Sequence, residues 1–182
     1  MRTVLSDLRF SRNLLYPGAP CLIEPGDFST VEHSILNMDP PDHTRLRRLS
    51  AQAFTVRRIA APRPRIREIA DELLAVMVEH GPPAQLVEEF AFPLPTVVMC
   101  ELLGLPFANR ERFRRWSRVI VTPAQNAPRE VAQARRDGAQ DIAELVAIKR
   151  EQPTDDFLSA LVHARDDDGD RLTEPELIDL AT

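Results

Sequence analysis

The chain has 182 residues, 43% of them apolar and 28% charged, which is room for one domain with a sizeable core, so disorder is not expected. No apolar run approaches the length of a membrane-spanning helix and no charged-then-apolar leader precedes a cleavage site, so the expectation is a cytoplasmic chain with no membrane contact. The formal net charge of -5 opposes a nucleic-acid partner, and two distant cysteines argue against a disulfide framework.

In chain order, Met1 to Asp7 reads as the middle of a helix, which suggests a valine start codon inside a longer frame. Asn13 to Met38 shows little helical period and contains Tyr16-Pro-Gly-Ala-Pro20 and Glu24-Pro-Gly26. Loops of that length in compact domains are usually functional or disordered. Asp39-Pro-Pro-Asp-His-Thr-Arg-Leu-Arg-Arg48 closes this segment and opens a helix. Proline disfavours the α region for the residue before it, so Asp39 and Pro40 are expected to be extended. Pro41 then takes the first helical position, and Asp42 the first turn, where the helix dipole favours an anion. His43 and Arg47, four residues apart, share one helical face. An imidazole donor and a guanidinium fork one turn further on make a two-point clamp for a carboxylate. On spacing alone the competing reading is a solvated polar face.

Ile66, Ile69, Ala70, Leu73, Leu74 and Met77 follow the i, i+3, i+4, i+7 template of an amphipathic helix that ends at His80-Gly81-Pro82-Pro83. Strand signal is thin, with Gln85 to Phe90 the one candidate edge. Pro95 to Leu103 predicts a short apolar helix, Asn109 to Val121 an arginine-faced one closed by Thr122-Pro123, and Glu130 to Arg150 a long one. In the last of these Ile142, Leu145 and Val146 point inward and Gly138 weakens the middle. Phe157, Leu158, Leu161 and Val162 line one side of the next helix, which ends in the turn Asp166-Asp-Asp-Gly-Asp170. Thr173-Glu-Pro-Glu176 makes a capping box for a further helix.

Several chemistries find no support. The Asp166 to Asp170 turn has no glutamate at the twelfth position of a calcium loop and its glycine is at the fourth. The histidines at 33, 43, 80 and 163 show no metal-ligand spacing. Neither a Gly-rich phosphate loop nor a serine nucleophile elbow is found. Cys21 and Cys100 lie among apolar neighbours and read as small buried residues.

Asp39-Pro-Pro-Asp-His-Thr-Arg-Leu-Arg-Arg-Leu49, followed by Ala53-Phe-Thr-Val-Arg-Arg-Ile59, closely resembles the helix C signature of soluble bacterial cytochromes P-450, the haem-thiolate monooxygenases. Leu5 to Arg12 is similar to the end of that family's helix B. Phe92-Pro-Leu-Pro-Thr-Val-Val-Met-Cys-Glu-Leu-Leu-Gly-Leu-Pro106 resembles helix E, and Asp155-Asp-Phe-Leu-Ser-Ala-Leu-Val-His-Ala-Arg165 helix H. The resemblance implies a mainly α fold with little strand: the helix B to helix H portion of a P-450 domain, incomplete over residues 1–182. It lacks the N-terminal sheet and helix A, most of helix I, and the region with the cysteine that ligates iron. The cofactor implied is haem b, with His43 and Arg47 on a propionate. Asn13 to Met38 would be the loop that covers the substrate, with Leu22, Ile23, Ile35 and Leu36 as apolar wall for a lipophilic small molecule. Arg45 and Arg48 would face an acidic ferredoxin-type electron donor. The complete form would insert one oxygen atom from O2 into its substrate, and the isolated chain would be inactive.

Two other classes compete with that reading. One is a non-catalytic helical binding protein. The other is a DNA-binding regulator using Arg45 to Arg67, which holds eight arginines and no acid. No reading helix with Asn or Gln among those arginines supports the second, and residues 153–180 oppose it with nine acids against Arg165 and Arg171.

Overall fold

The computed structural model describes residues 7, 9–14, 16, 18, 34–165 and 169–182. Among these the chain is helical: α1 Asp42–Ala51, α2 Val56–Ala60, α3 Arg63–His80, α4 Pro93–Leu102, α5 Arg110–Val121, α6 Pro128–Glu151, α7 Phe157–His163 and α8 Glu174–Ala181. Single 3-10 turns at Ile35–Asn37, Phe107–Asn109 and Pro123–Gln125 lead into or join them. No described residue is in a strand.

α6 is the axis of the packing, with α5, α7 and α8 laid against it, while α3 packs on α4. Their inward stripes meet in one cluster that includes Leu46 and Leu49 of α1, Cys100 of α4, Phe113 and Trp116 of α5, Ile142, Leu145 and Val146 of α6, Leu158 and Leu161 of α7, and Leu177 of α8. The inward residues expected for α6 and α7 are therefore those found. α3 runs as its period predicts, but only Ile69 is fully covered, and Leu74, Val76 and Val78 face outward.

The helix ends follow local chemistry. Thr55 accepts from the Arg58 N–H (3.2 Å) and Asp156 from the Ser159 N–H (2.7 Å), each satisfying a donor that the first turn leaves free. The Thr173 capping box forms: its hydroxyl accepts from the Glu176 N–H, and Glu176 Oε2 accepts the Thr173 N–H at 2.8 Å. Gly81 stops α3 at φ 73°, a conformation that favours glycine.

One expectation is corrected, and another gains its physical reason. Gln85 to Phe90 is no edge strand: Val87–Ala91 forms a π turn closed by the Phe92 N–H on the Val87 carbonyl (2.9 Å), with Glu89 folding back onto the Gln85 N–H (2.7 Å). A lone strand would leave its ladder groups unpaired, whereas the turn pairs them internally. Gly138 does not interrupt α6. A Cβ there would come within 3.0 Å of the Trp116 ring, so the glycine makes room for the indole of the neighbouring helix.

Candidate functional site

α1 begins where the double proline ends. Pro41 caps it, the His43 N–H bonds the Asp39 carbonyl (3.1 Å) and the Arg45 N–H the Pro41 carbonyl (3.0 Å). Asp39 is held in turn by the Ser11 hydroxyl and the Arg12 N–H (3.1 Å). These bonds, with the nearby His43, keep its carboxyl below the usual carboxylate range. Asp42 lies in the first turn as expected.

Leu46, Leu49 and Ser50 are the buried side of α1. His43 and Arg47 stand together beside that side, His43 half-buried and Arg47 exposed. Neither side chain has a hydrogen-bond or ion-pair partner among the described residues. Two cationic or polar donors one turn apart, with no hydrogen-bond acceptor among the described residues, match the needs of a carboxylate.

The other expected residues are placed as follows. Ile35 and Leu36 form the turn just before α1, Ile35 packed against the core and Leu36 62% exposed. Leu22 and Ile23 lie outside the described residues. Arg48 is on the surface of α1. Arg45 turns to the other side of the helix, where it pairs with Asp170 (3.1 Å) and with the buried Glu176 at the start of α8. At the C-terminal end of α1 Gln52 clasps the backbone of Arg165, donating to its carbonyl (2.5 Å) and accepting its N–H (3.3 Å). Sequence reasoning missed both ties, because their partners stand 131 and 113 residues away and no local pattern marks them.

Cys100 is buried in α4, and burial pushes its thiol up to about 11, so it is a packed thiol rather than a metal-ligating thiolate. Cys21 falls outside the described residues. No cluster of His, Cys, Asp and Glu able to hold a metal ion occurs among the described residues, and no helix there is long and apolar enough to cross a membrane. A cleft of about 450 Å³ between α5 and α6, lined by Arg112, Trp116, Glu130 and Asp141 among others, includes no α1 residue.

A comparison with family models finds no match. Among characterised proteins, the chain is 45% identical over 181 residues to mycinamicin IV hydroxylase/epoxidase of Micromonospora griseorubida, covering 100% of this chain and 45% of the relative. It is 42% identical to cytochrome P-450 monooxygenase PikC of Streptomyces venezuelae, covering 99% of this chain and 42% of that protein. The crystal structure of the LnmA cytochrome P-450 hydroxylase of Streptomyces atroolivaceus superposes with a TM-score of 0.86 at 40% identity, over 99% of this chain and 44% of that one. The chain belongs to the cytochrome P-450 family. Its helices are a mainly α portion of the P-450 fold, and it spans less than half the length of the curated relatives it matches. P-450 membership implies haem as cofactor. The donor set of α1 fits the acidic edge of that group, and Cys100 does not fit its metal.

Proposed function

We propose that this chain supplies the propionate-anchoring helix and part of the substrate wall of a haem-dependent monooxygenase. The observation that carries the proposal is the pair of donors His43 and Arg47, side by side on α1 without a protein acceptor among the described residues. Arg47 would give a guanidinium fork to one propionate and His43 a ring N–H to the same group, in charge-assisted bonds that are stronger than neutral ones. Haem b, when bound, supplies the oxygen chemistry, and the protein supplies binding, orientation and electrostatics. In the complete reaction one atom of O2 enters the substrate and the other leaves as water, with two electrons and two protons consumed; the electrons come from NAD(P)H through a ferredoxin.

Leu36, exposed and directly before α1, is the best-placed wall residue, with Ile35 behind it. Mycinamicin IV hydroxylase/epoxidase and 6-deoxyerythronolide B hydroxylase are among the relatives, which supports a lipophilic small molecule as substrate class. Arg48, exposed on α1, and Arg45 beside it, which holds Asp170 and Glu176, are the arginines proposed to meet an acidic electron donor. The 182 residues alone are proposed to be inactive, because neither cysteine has the setting of a thiolate ligand.

The test is titration with protoporphyrin IX, which carries both propionates and no iron. The His43→Ala/Arg47→Ala chain is expected to bind at least tenfold more weakly than the parent, and equal affinity would overturn the anchoring reading. With hemin, the reduced carbon monoxide difference spectrum of the chain is expected to lack the band of a thiolate-ligated haem, and its presence would overturn the inactivity.

A further inference from the structure

We infer that Arg45 is a positioning residue: by pairing with Glu176 and Asp170 it fixes the roll of α1 about its axis and so aims the His43 and Arg47 donors. The inference rests on the propionate reading above and assigns Arg45 a role inside the molecule.

Helical geometry places Arg45 about 160° round the axis from both His43 and Arg47, and the buried stripe of Leu46, Leu49 and Ser50 lies between the two edges. The stripe holds α1 to the core by apolar contact, which is strong but non-directional. Rotation of α1 by a few tens of degrees would keep most of that contact and swing both donors away from their target. A charge-assisted pair does have direction, and Arg45 makes two, to Asp170 (3.1 Å) and to Glu176.

Glu176 is suited to be the fixed end. It is buried, and its second oxygen accepts the Thr173 N–H (2.8 Å) in the capping box of α8, so the carboxylate cannot follow a moving arginine. At the far end of α1, Gln52 on the Arg165 backbone resists sliding along the axis. Roll is the freedom left, and Arg45 removes it. The same pair makes the donor face of α1 answer to the position of α8.

The test is protoporphyrin IX titration of the chain and its variants, with amide exchange of α1 followed alongside. Arg45→Ala is expected to weaken binding about tenfold and Glu176→Gln to do nearly the same. The double variant should be no weaker than either single one, because both remove one interaction. Arg45→Lys, which keeps the charge but not the two-acceptor fork, should recover part of the affinity. In the His43→Ala/Arg47→Ala background, Arg45→Ala should change nothing further. Unchanged binding in Arg45→Ala, or an equal loss in the background that lacks both donors, overturns the inference while leaving the anchoring reading intact. Unchanged binding in His43→Ala/Arg47→Ala overturns the anchoring reading and this inference with it.

Discussion

Gly104→Ala tests whether the turn after α4 is built around a buried charge pair. Gly104 has φ +65°, and a Cβ there would lie 2.6 Å from Lys149 Nζ and closer still to Asp156 Oδ2. Those two side chains are 7% and 8% exposed and pair at 2.5 Å, with Thr154 also accepting from Lys149 at 2.8 Å. An alanine in the left-handed region costs about 1–2 kcal/mol. Forcing apart a buried pair costs about 3–5 kcal/mol. The stiffer unfolded chain returns about 0.4–1 kcal/mol. The net expectation is a loss of roughly 3–7 kcal/mol, a large part of the 5–15 kcal/mol that typically holds a domain. Urea unfolding followed by the fluorescence of Trp116, which is buried in the core, measures it directly. Repeating the substitution in a Lys149→Met chain should reduce its cost by at least about 2 kcal/mol, since the pair is already gone. A cost below about 1 kcal/mol in the parent, or the same cost in both backgrounds, would refute the reasoning.

Burial pushes the Asp156 carboxyl up, but bonds from Lys149, the Ser159 N–H and Thr154 outweigh it and leave the group below its ordinary value. Its stabilising contribution is therefore present above about pH 4 and lost as pH falls further, so Tm should drop as pH falls below about 4 and drop less in Asp156→Asn. Asp141→Ala leaves the buried Trp116 Nε1–H (now 3.1 Å from Asp141) and Arg112 without their acceptor, and should lower the unfolding free energy by about 1–3 kcal/mol. Asp141→Asn, which keeps one acceptor, should cost less in the same denaturant titration. Cys100, with its thiol pushed up to about 11, should resist alkylation at pH 8 until the chain unfolds, read by mass on its peptide; rapid labelling of the folded chain would contradict its placement.

The parts of this molecule that could be read from sequence are those whose cause is local. The Pro-Pro step before Asp42, the glycine after His80 and the Thr173 capping box each act within four residues, and each marks a real boundary. The donor pair on α1 was readable for the same reason, since i and i+4 share a face whatever surrounds them. What could not be read depends on distant partners. A strand at Gln85 to Phe90 needs a neighbour to pair with, and the residue types there do not reveal that none is supplied. Gly138 costs helix propensity locally, yet the reason for it is an indole 22 residues earlier. Arg45 belonged to an apparent basic run, and only the fold brings Glu176 to it.

That last case bears on the whole arginine-rich stretch. If Arg45 to Arg67 were a phosphate-binding stripe, its guanidinium groups would stand free on one face. The fold instead ties two of them, Arg45 and Arg65, to carboxylates of the protein itself. Arg45 reaches α8, and Arg65 holds Glu101 of α4 at 3.1 Å while also meeting Glu68 and Glu72, so its guanidinium is held firmly in the charged form. Elsewhere Arg112 joins α5 to Asp141 of α6, and Arg150 joins α6 to Glu174 of α8 (2.7 Å). In a chain with a single lysine, arginine is the cross-link between helices, and its fork suits that use because one guanidinium can hold two acceptors in fixed directions. The exposed members contribute little energy each. Their consequence is orientation, since every helix tied in this way loses freedom to turn. On α1 the tie falls to Arg45 on one edge, while Arg47 on the other edge, beside His43, has no carboxylate partner among the described residues, as the proposed anchoring of an outside carboxylate requires.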